Sequence, residues 1–139
     1  MSTLTIDDGI IAREVTVAQG ATVLHAVRQE GVHLPTLCHW EGLPPYGACR
    51  LCVVVVRQPA RGPEGQVVAA CTHPATDGLV VETRAPEAVA VRRMMLEFLL
   101  ARCPTSGVIR HLAAGEGITA SRFEGESLNP DELCVLCGL

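Results

Sequence analysis

The sequence predicts an α+β fold, in which a small mixed β-sheet that carries one helix is followed by a helical extension. Two observations support this prediction. Short apolar segments, alternating or β-branched, recur through the first 83 residues and are interrupted once by a helical pattern. After Pro86 the apolar residues follow a helical period instead. We therefore expect two parts, a sheet domain over residues 1–84 and a helical extension over residues 85–139.

The first predicted element is a β-hairpin. Residues 4–7 alternate between apolar and polar side chains, and Asp8-Gly9 is a strong signal for a tight turn. Residues 11–17 form the predicted returning strand. Its apolar side chains are expected mostly on one face: Ile11, Val15 and Val17.

A helix is predicted to pack face to face with this hairpin. Thr22 or Gly20 can cap its start, and Gly31 stands where a helix ends in a left-handed residue. Between them lies a stripe at helical spacing, made of Val23, Leu24, Ala26 and Val27.

Three further strands are expected before the extension. Residues 51–56 are apolar on both parities, which is typical of a strand buried on both faces. A turn rich in Pro and Gly over residues 58–65 leads into a strand over residues 66–70. Residues 79–83 form the last short strand of the predicted sheet.

The extension is predicted to contain two helices. Pro86 fits the first position of a helix that ends at Cys103-Pro104. We interpret its apolar residues either as core against the sheet or as a docking face for a partner subunit. Residues 106–114 form a second, shorter helix, closed by Gly115 or Gly117.

Composition and charge argue against several classes of function. The net charge of −4 and the lack of a basic patch disfavour nucleic acid as a partner. The N-terminus does not resemble a secretory signal, and the longest apolar run is strand-sized, so no direct membrane insertion is expected. Seven cysteines without an export signal favour free thiols in a reducing cytoplasm over a disulfide framework.

Four of these cysteines form the most informative pattern in the chain, C-x10-C-x2-C-x18-C, made of Cys38, Cys49, Cys52 and Cys71. Two residues between the middle pair let both sulfurs point into one site, and the outer pair must arrive from elsewhere. Four thiolates suit either iron–sulfur ligation or a structural zinc. Iron is favoured, because plant-type ferredoxins use the same order with a shorter first gap, whereas zinc sites usually pair two C-x2-C turns. A zinc-stabilised structural or interaction module remains the alternative.

The residues around the C-x2-C turn add detail to this site. Gly47 removes a side chain where backbone must crowd the sulfurs, and the N–H groups of residues 47–50 can point at cluster sulfides as an anion-binding nest. The charge or N–H of Arg50 is expected to stabilise a reduced cluster. His39 and His73 are interpreted as surface or outer-sphere residues, and Trp40 and Tyr46 as packing residues at the border of the loop rather than an electron route.

Three stretches of this region resemble one known family: residues 37–39, residues 47–55, and residues 70–74 followed by Asp77-Gly78. They resemble the N-terminal 2Fe–2S domain of the large peripheral-arm subunit of respiratory complex I. Related domains occur in the diaphorase subunit of NAD-reducing hydrogenases, in iron-only hydrogenases and in NAD-dependent formate dehydrogenases. The resemblance covers roughly residues 3–83 and implies a β-grasp, 2Fe–2S ferredoxin-like fold.

The resemblance also implies a role in electron transfer. In that family four cysteines hold a 2Fe–2S cluster, and by position these are Cys38, Cys49, Cys52 and Cys71. The implied function is the relay of single electrons within a multi-subunit oxidoreductase. The implied partners are an NADH-oxidising flavoprotein subunit upstream and a 4Fe–4S or catalytic subunit downstream. We expect no substrate chemistry of the chain's own, because it shows no nucleotide-binding glycine motif and no nucleophile constellation.

The second half departs from the family pattern. A helix like that over residues 92–102 is commonly followed there by one His and three Cys that bind a 4Fe–4S cluster. Here Cys103 stands in place of that histidine and residues 105–117 contain no cysteine, so we expect no such cluster and a buried or boundary role for Cys103. Near the C-terminus, Cys134-x2-Cys137 resembles the start of a ferredoxin 4Fe–4S motif, but two thiols leave it incomplete.

Overall fold

In the computed structural model, which describes residues 1–123, one mixed sheet holds the first part of the chain together. Its strands are β1 (Ser2–Asp7), β2 (Ala12–Val17), β3 (Val53–Arg57), β4 (Gly65–Ala69) and β5 (Val80–Glu82). The spatial order is β2-β1-β5-β3-β4. β5 pairs in parallel with β1 and antiparallel with β3, so it joins the N-terminal hairpin to the β3–β4 hairpin. The predicted α+β fold is confirmed.

The N-terminal hairpin is closed by its turn residue Asp8. The carboxylate of Asp8 accepts hydrogen bonds from the N–H groups of Ile10 and Ile11, each at 2.9 Å. The register then places Leu4 opposite Val15, and both side chains are buried. Ile11 lies outside the strand and is 52% exposed, so the prediction that it joins this buried face is wrong.

Helix α1 (Val23–Gln29) covers one face of the sheet. Thr22 is its N-cap and accepts a hydrogen bond from the N–H of His25, and Gly31 has a φ of +69° just beyond the C-cap, as predicted. The four apolar residues of the predicted stripe are all buried. They pack into a first core with inward-facing residues of the sheet: Leu4, Ile6, Val15, Val17, Val54, Val56 and Val81.

Helix α2 (Pro86–Arg102) lies against the opposite face of the sheet. Ala88 is fully buried against Val53 and Val55, which explains why β3 is apolar on both parities. Helix α3 (Gly107–Gly115) follows with Ser106 as its N-cap. Both predicted helices of the extension are present with nearly the predicted bounds.

Helices α2 and α3 form a second core of their own with one residue from the first part of the chain. Its buried members are Leu51, Leu96, Leu100, Ile109, Ala113 and Ile118. The predicted strand over residues 51–56 is therefore too long at its start, because Leu51 and Cys52 lie in a turn before β3. No helix among residues 1–123 combines the length and the apolar character needed to cross a membrane.

Candidate metal centre

Three separate segments bring the four predicted cysteines together. Cys38 lies in the irregular segment after α1, and Cys49 and Cys52 flank the turn before β3. Cys71 follows β4 by two residues, and β4 is antiparallel to β3. The N–H of Ala70 donates to the carbonyl oxygen of Cys52 at 3.0 Å, which continues the ladder by one step beyond Val53 and Ala69. The β3–β4 register therefore places Cys52 beside Cys71.

The four thiols form two facing pairs. The backbone N–H of Cys49 donates to the Sγ of Cys38 at 3.4 Å, and the thiols of these two residues also interact directly. The thiol of Cys71 interacts in the same way with that of Cys52 and also lies near Cys38 and Cys49. All four cysteines are free, and all but the half-buried Cys49 are buried.

Burial and mutual proximity determine the ionisation of these thiols. Burial, followed by the neighbouring thiol of Cys52, raises the pKa of Cys71 to about 12. Burial also raises the pKa of Cys38, an effect opposed by the N–H groups of Cys49 and Ala48. Since thiolates bind metal, loading such a site requires the release of protons that the buried apo thiols hold.

The turn that carries Cys49 has an unusual backbone. Gly47 has a φ of +67°, and a Cβ placed there would lie 3.2 Å from Cγ2 of Thr72. Arg50 has a φ of +55°, although it is not a glycine, and its side chain is exposed. The N–H groups of Ala48 and Cys49 face the sulfur of Cys38. That the N–H groups of residues 47–50 point at cluster sulfides stays a prediction.

The donor set fits a binuclear cluster better than a single ion. In a 2Fe–2S cluster each of the two irons takes two of the four thiolates, and the bridging sulfides join the irons. Two facing pairs of thiols match that need, whereas a tetrahedral zinc requires four ligands around one centre.

The other predicted residues of this region have mixed outcomes. His39 is half-buried next to Cys38, and burial lowers its pKa and that of His73. Trp40 is 67% exposed and Tyr46 is 51% exposed, so the prediction that they pack against the loop is wrong. Cys103 is fully buried at the C-cap of α2, as predicted. The incomplete motif at Cys134 and Cys137 lies outside the described residues.

Two residues next to the site are not singled out by sequence patterns alone. Leu51, predicted as the start of a strand, is fully buried in the second core. Arg92 is 1% exposed and reaches from α2 to the backbone beside Cys52. One signal for it was available, since Arg92 stands four residues after Ala88 and four before Leu96, on the buried face of the helix.

Comparison with known proteins gives one family match. The model of a family described as the 2Fe–2S iron–sulfur cluster binding domain matches residues 2–86, which is more than half of the 139 residues. The matched segment includes all four cysteines of the two facing pairs and ends at the first residue of α2.

Curated relatives are subunits of redox complexes. The chain is 38% identical over 104 residues to an NADH-quinone oxidoreductase subunit of Rhizobium meliloti, covering 75% of this chain and 11% of that protein. It is 36% identical to the gamma subunit of the NAD-reducing hydrogenase HoxS of Cupriavidus necator, covering 73% and 42% respectively. A third relative, an NADH-quinone oxidoreductase subunit of Streptomyces coelicolor, is 34% identical with 97% and 18% covered. The chain thus spans less than half of each of these proteins.

A solved structure gives the same result for the fold. A chain of the NAD+-reducing [NiFe]-hydrogenase in its H2-reduced state superposes with a TM-score of 0.80 at 31% identity, covering 99% of this chain and 63% of that one. These comparisons confirm the resemblance found from the cysteine motifs and the 2Fe–2S cofactor. They give no support to the zinc-stabilised module.

Proposed function

The chain belongs to the family of 2Fe–2S iron–sulfur cluster binding domains, and from that premise we propose that it relays single electrons within a multi-subunit oxidoreductase. The observation that carries this proposal is that four free thiols lie in two facing pairs inside the segment that matches the family. A bound 2Fe–2S cluster takes up and gives up one electron at a low potential, roughly −400 mV in thiolate-only plant-type sites.

We assign the ligand role to Cys38, Cys49, Cys52 and Cys71. They are buried or half-buried and free, and they lie in pairs that suit two irons. Around them the chain supplies backbone donors, with the N–H groups of Ala48 and Cys49 directed at the sulfur of Cys38. Such hydrogen bonds offset the negative charge that four thiolates bring to the site.

The proposed partners follow from the relatives. The named relatives are subunits of NADH-quinone oxidoreductases and of an NAD-reducing hydrogenase. We propose an NADH-oxidising flavoprotein subunit as the electron donor and a 4Fe–4S or catalytic subunit as the acceptor. The chain itself performs no substrate chemistry in this scheme. A reducing cytoplasm suits its free buried thiols.

The division of the chain into residues 1–84 and residues 85–139 is retained as a proposal. The family match ends at residue 86, next to this boundary. Helix α2 packs on the sheet through Ala88, so the two parts share an interface rather than a loose linker. We propose that the first part binds the cluster and that the second part supports it.

The test is metal analysis and spectroscopy of the anaerobically purified chain and five Cys→Ala variants. The wild-type protein should hold about two irons per chain, absorb in the visible range and give an EPR signal on reduction by dithionite. Replacing Cys38, Cys49, Cys52 or Cys71 should abolish these signals, whereas C103A, the matched control for a buried thiol, should retain them. A colourless protein holding zinc would contradict the cofactor, and full iron in one of the four variants would contradict the ligand role of that cysteine.

A further inference from the structure

The turn between the two middle cysteines is held from the side of the helical extension. Leu51 lies between Cys49 and Cys52 and is fully buried, but not in the first core, where Cys52 lies. Its side chain enters the second core, between α2 and α3. Leu37, which precedes Cys38, and Cys49 itself pack against the same core. The extension thus contacts both segments that carry the first two cysteines.

A second contact holds the backbone on the other side of Cys52. The Nη1 of Arg92 donates to the carbonyl oxygen of Val53 at 3.0 Å and to that of Thr83 at 2.9 Å. The guanidinium is 1% exposed, and its Nε lies 3.5 Å from a carboxylate oxygen of Glu116, directly after α3. Cys52 is therefore flanked by Leu51, held through its side chain, and by Val53, held through its carbonyl oxygen.

The backbone of this turn needs such support. Arg50 adopts the left-handed conformation that side chains disfavour, and residues 49–52 lie outside the helices and strands. Strained backbone persists where surrounding packing determines its conformation. The second core and Arg92 provide that packing.

We propose that α2 and α3 position the Cys49–Cys52 turn for the bound cluster, and that Leu51 and Arg92 are the positioning residues. This inference rests on the proposed function, since it takes Cys49 and Cys52 as ligands. It assigns the extension a role at the cluster.

The test compares matched cavities in the two cores. L51A empties part of the second core, and L4A, its control, removes an equally buried Leu side chain from the first core on β1. Both variants should lose thermal stability. Only L51A should also change the EPR spectrum of the reduced cluster, shift its midpoint potential and release iron to a chelator faster. We expect release to be about tenfold faster, because loss of outer-sphere partners weakens metal affinity by about 10–100-fold at other metal sites. L51M should restore all three properties.

Two further variants keep the test decisive if L51A loads no cluster. L51V removes less volume, and L100A opens the same core from the helix side. The inference would be overturned if L51V and L100A both kept the spectra, the midpoint potential and the iron release of the wild type. It would also be overturned if L4A showed the same changes as L51A. The proposed function fails separately, since its failure appears in the Cys→Ala variants and in the metal content of the wild-type chain. Loss of the cluster in those variants with no effect at Leu51 would remove only the positioning role.

Discussion

The backbone N–H of Cys49 donates a hydrogen bond to the Sγ of Cys38 across 3.4 Å, although the two residues are eleven positions apart in the chain. This contact depends on the path of the backbone through Gly47, which has a φ of +67°. Main-chain geometry therefore brings together Cys38 and Cys49, the first pair of proposed ligands.

Replacing Gly47 by Ala should disturb this pair. A side chain at positive φ costs about 1–2 kcal/mol, and the new Cβ would also lie 3.2 Å from Cγ2 of Thr72. G42A is the matched control, because Gly42 has a φ of +89° in the same loop and a Cβ added there would meet no atom within 4 Å. Denaturant unfolding and iron content should show a larger loss of stability in G47A, with loss of cluster in that variant alone. Equal losses of stability and equal iron content in G47A and G42A would show that the contact with Thr72 has no effect.

The exposed charge of Arg50 should tune the cluster. Arg50 lies between Cys49 and Cys52, and reduction adds one negative charge to the site. R50Q should therefore shift the midpoint potential to a more negative value, and the shift should shrink as salt is raised, because exposed charges are screened. EPR-monitored redox titration measures this shift.

The control for Arg50 is R61Q. Arg61 follows β3, whereas Cys52 precedes it, so the five residues of the strand separate them by roughly 16 Å. R61Q should leave the potential nearly unchanged. A shift of the same size in both variants would mean that net charge, rather than the position of Arg50, sets the potential.

Much of the fold was predictable because its signals are local. The cap at Thr22 and the turn at Asp8 depend on neighbouring residues, and both were found where predicted. The apolar run of β3 was also found, although the strand starts two residues later than predicted. The four cysteines were predictable as a set because their spacing is one expected of thiolate ligands at a shared site. Their arrangement in two pairs was not, since it depends on a loop whose path is determined by contacts with distant parts of the chain.

The errors have the same physical origin. Leu51 continues the apolar run of β3 in sequence, but its side chain packs in the second core with residues of α2 and α3 and not in the sheet. Trp40 was expected to pack at the border of the loop, yet its side chain remains 67% exposed. In both cases tertiary packing, which one sequence does not reveal, decided the outcome.

The N-terminal hairpin should become less stable in acid through Asp8. Hydrogen bonds from the N–H groups of Ile11 and Ile10, and then the guanidinium of Arg13 at 3.0 Å, lower the pKa of Asp8 below its usual 3.8. A carboxyl whose pKa is lower in the folded state stabilises the fold above its unfolded pKa and loses that effect as pH falls through the folded pKa. D8A should therefore be less stable than wild type at pH 7, and the difference should narrow below about pH 4.

Thermal unfolding of wild type and D8A at a series of pH values measures the difference in stability between them. Acid effects elsewhere in the chain are common to both proteins and cancel in this comparison. D8N is the matched control, since its amide oxygen can accept the same hydrogen bonds but does not titrate. A difference in unfolding temperature between wild type and D8A that stays constant from pH 7 to pH 3 would contradict the prediction.

Arg92 and Glu116 should contribute strongly to stability as a pair. R92M leaves the carboxylate of Glu116, whose side chain is 8% exposed, without its buried partner, and it leaves the carbonyl oxygens of Val53 and Thr83 without their donor. Removing one partner of a buried ion pair costs about 3–5 kcal/mol, and we expect the lower end because Arg84 lies 3.8 Å from the same carboxylate.

Denaturant unfolding should also show that R92M combined with E116Q lowers the free energy of unfolding by less than the sum of the two single variants. R110Q, at an exposed position on α3, is the control and should change the free energy of unfolding by less than about 0.5 kcal/mol. Additive losses in the double variant would mean that Arg92 acts through the backbone carbonyls alone, without coupling to α3.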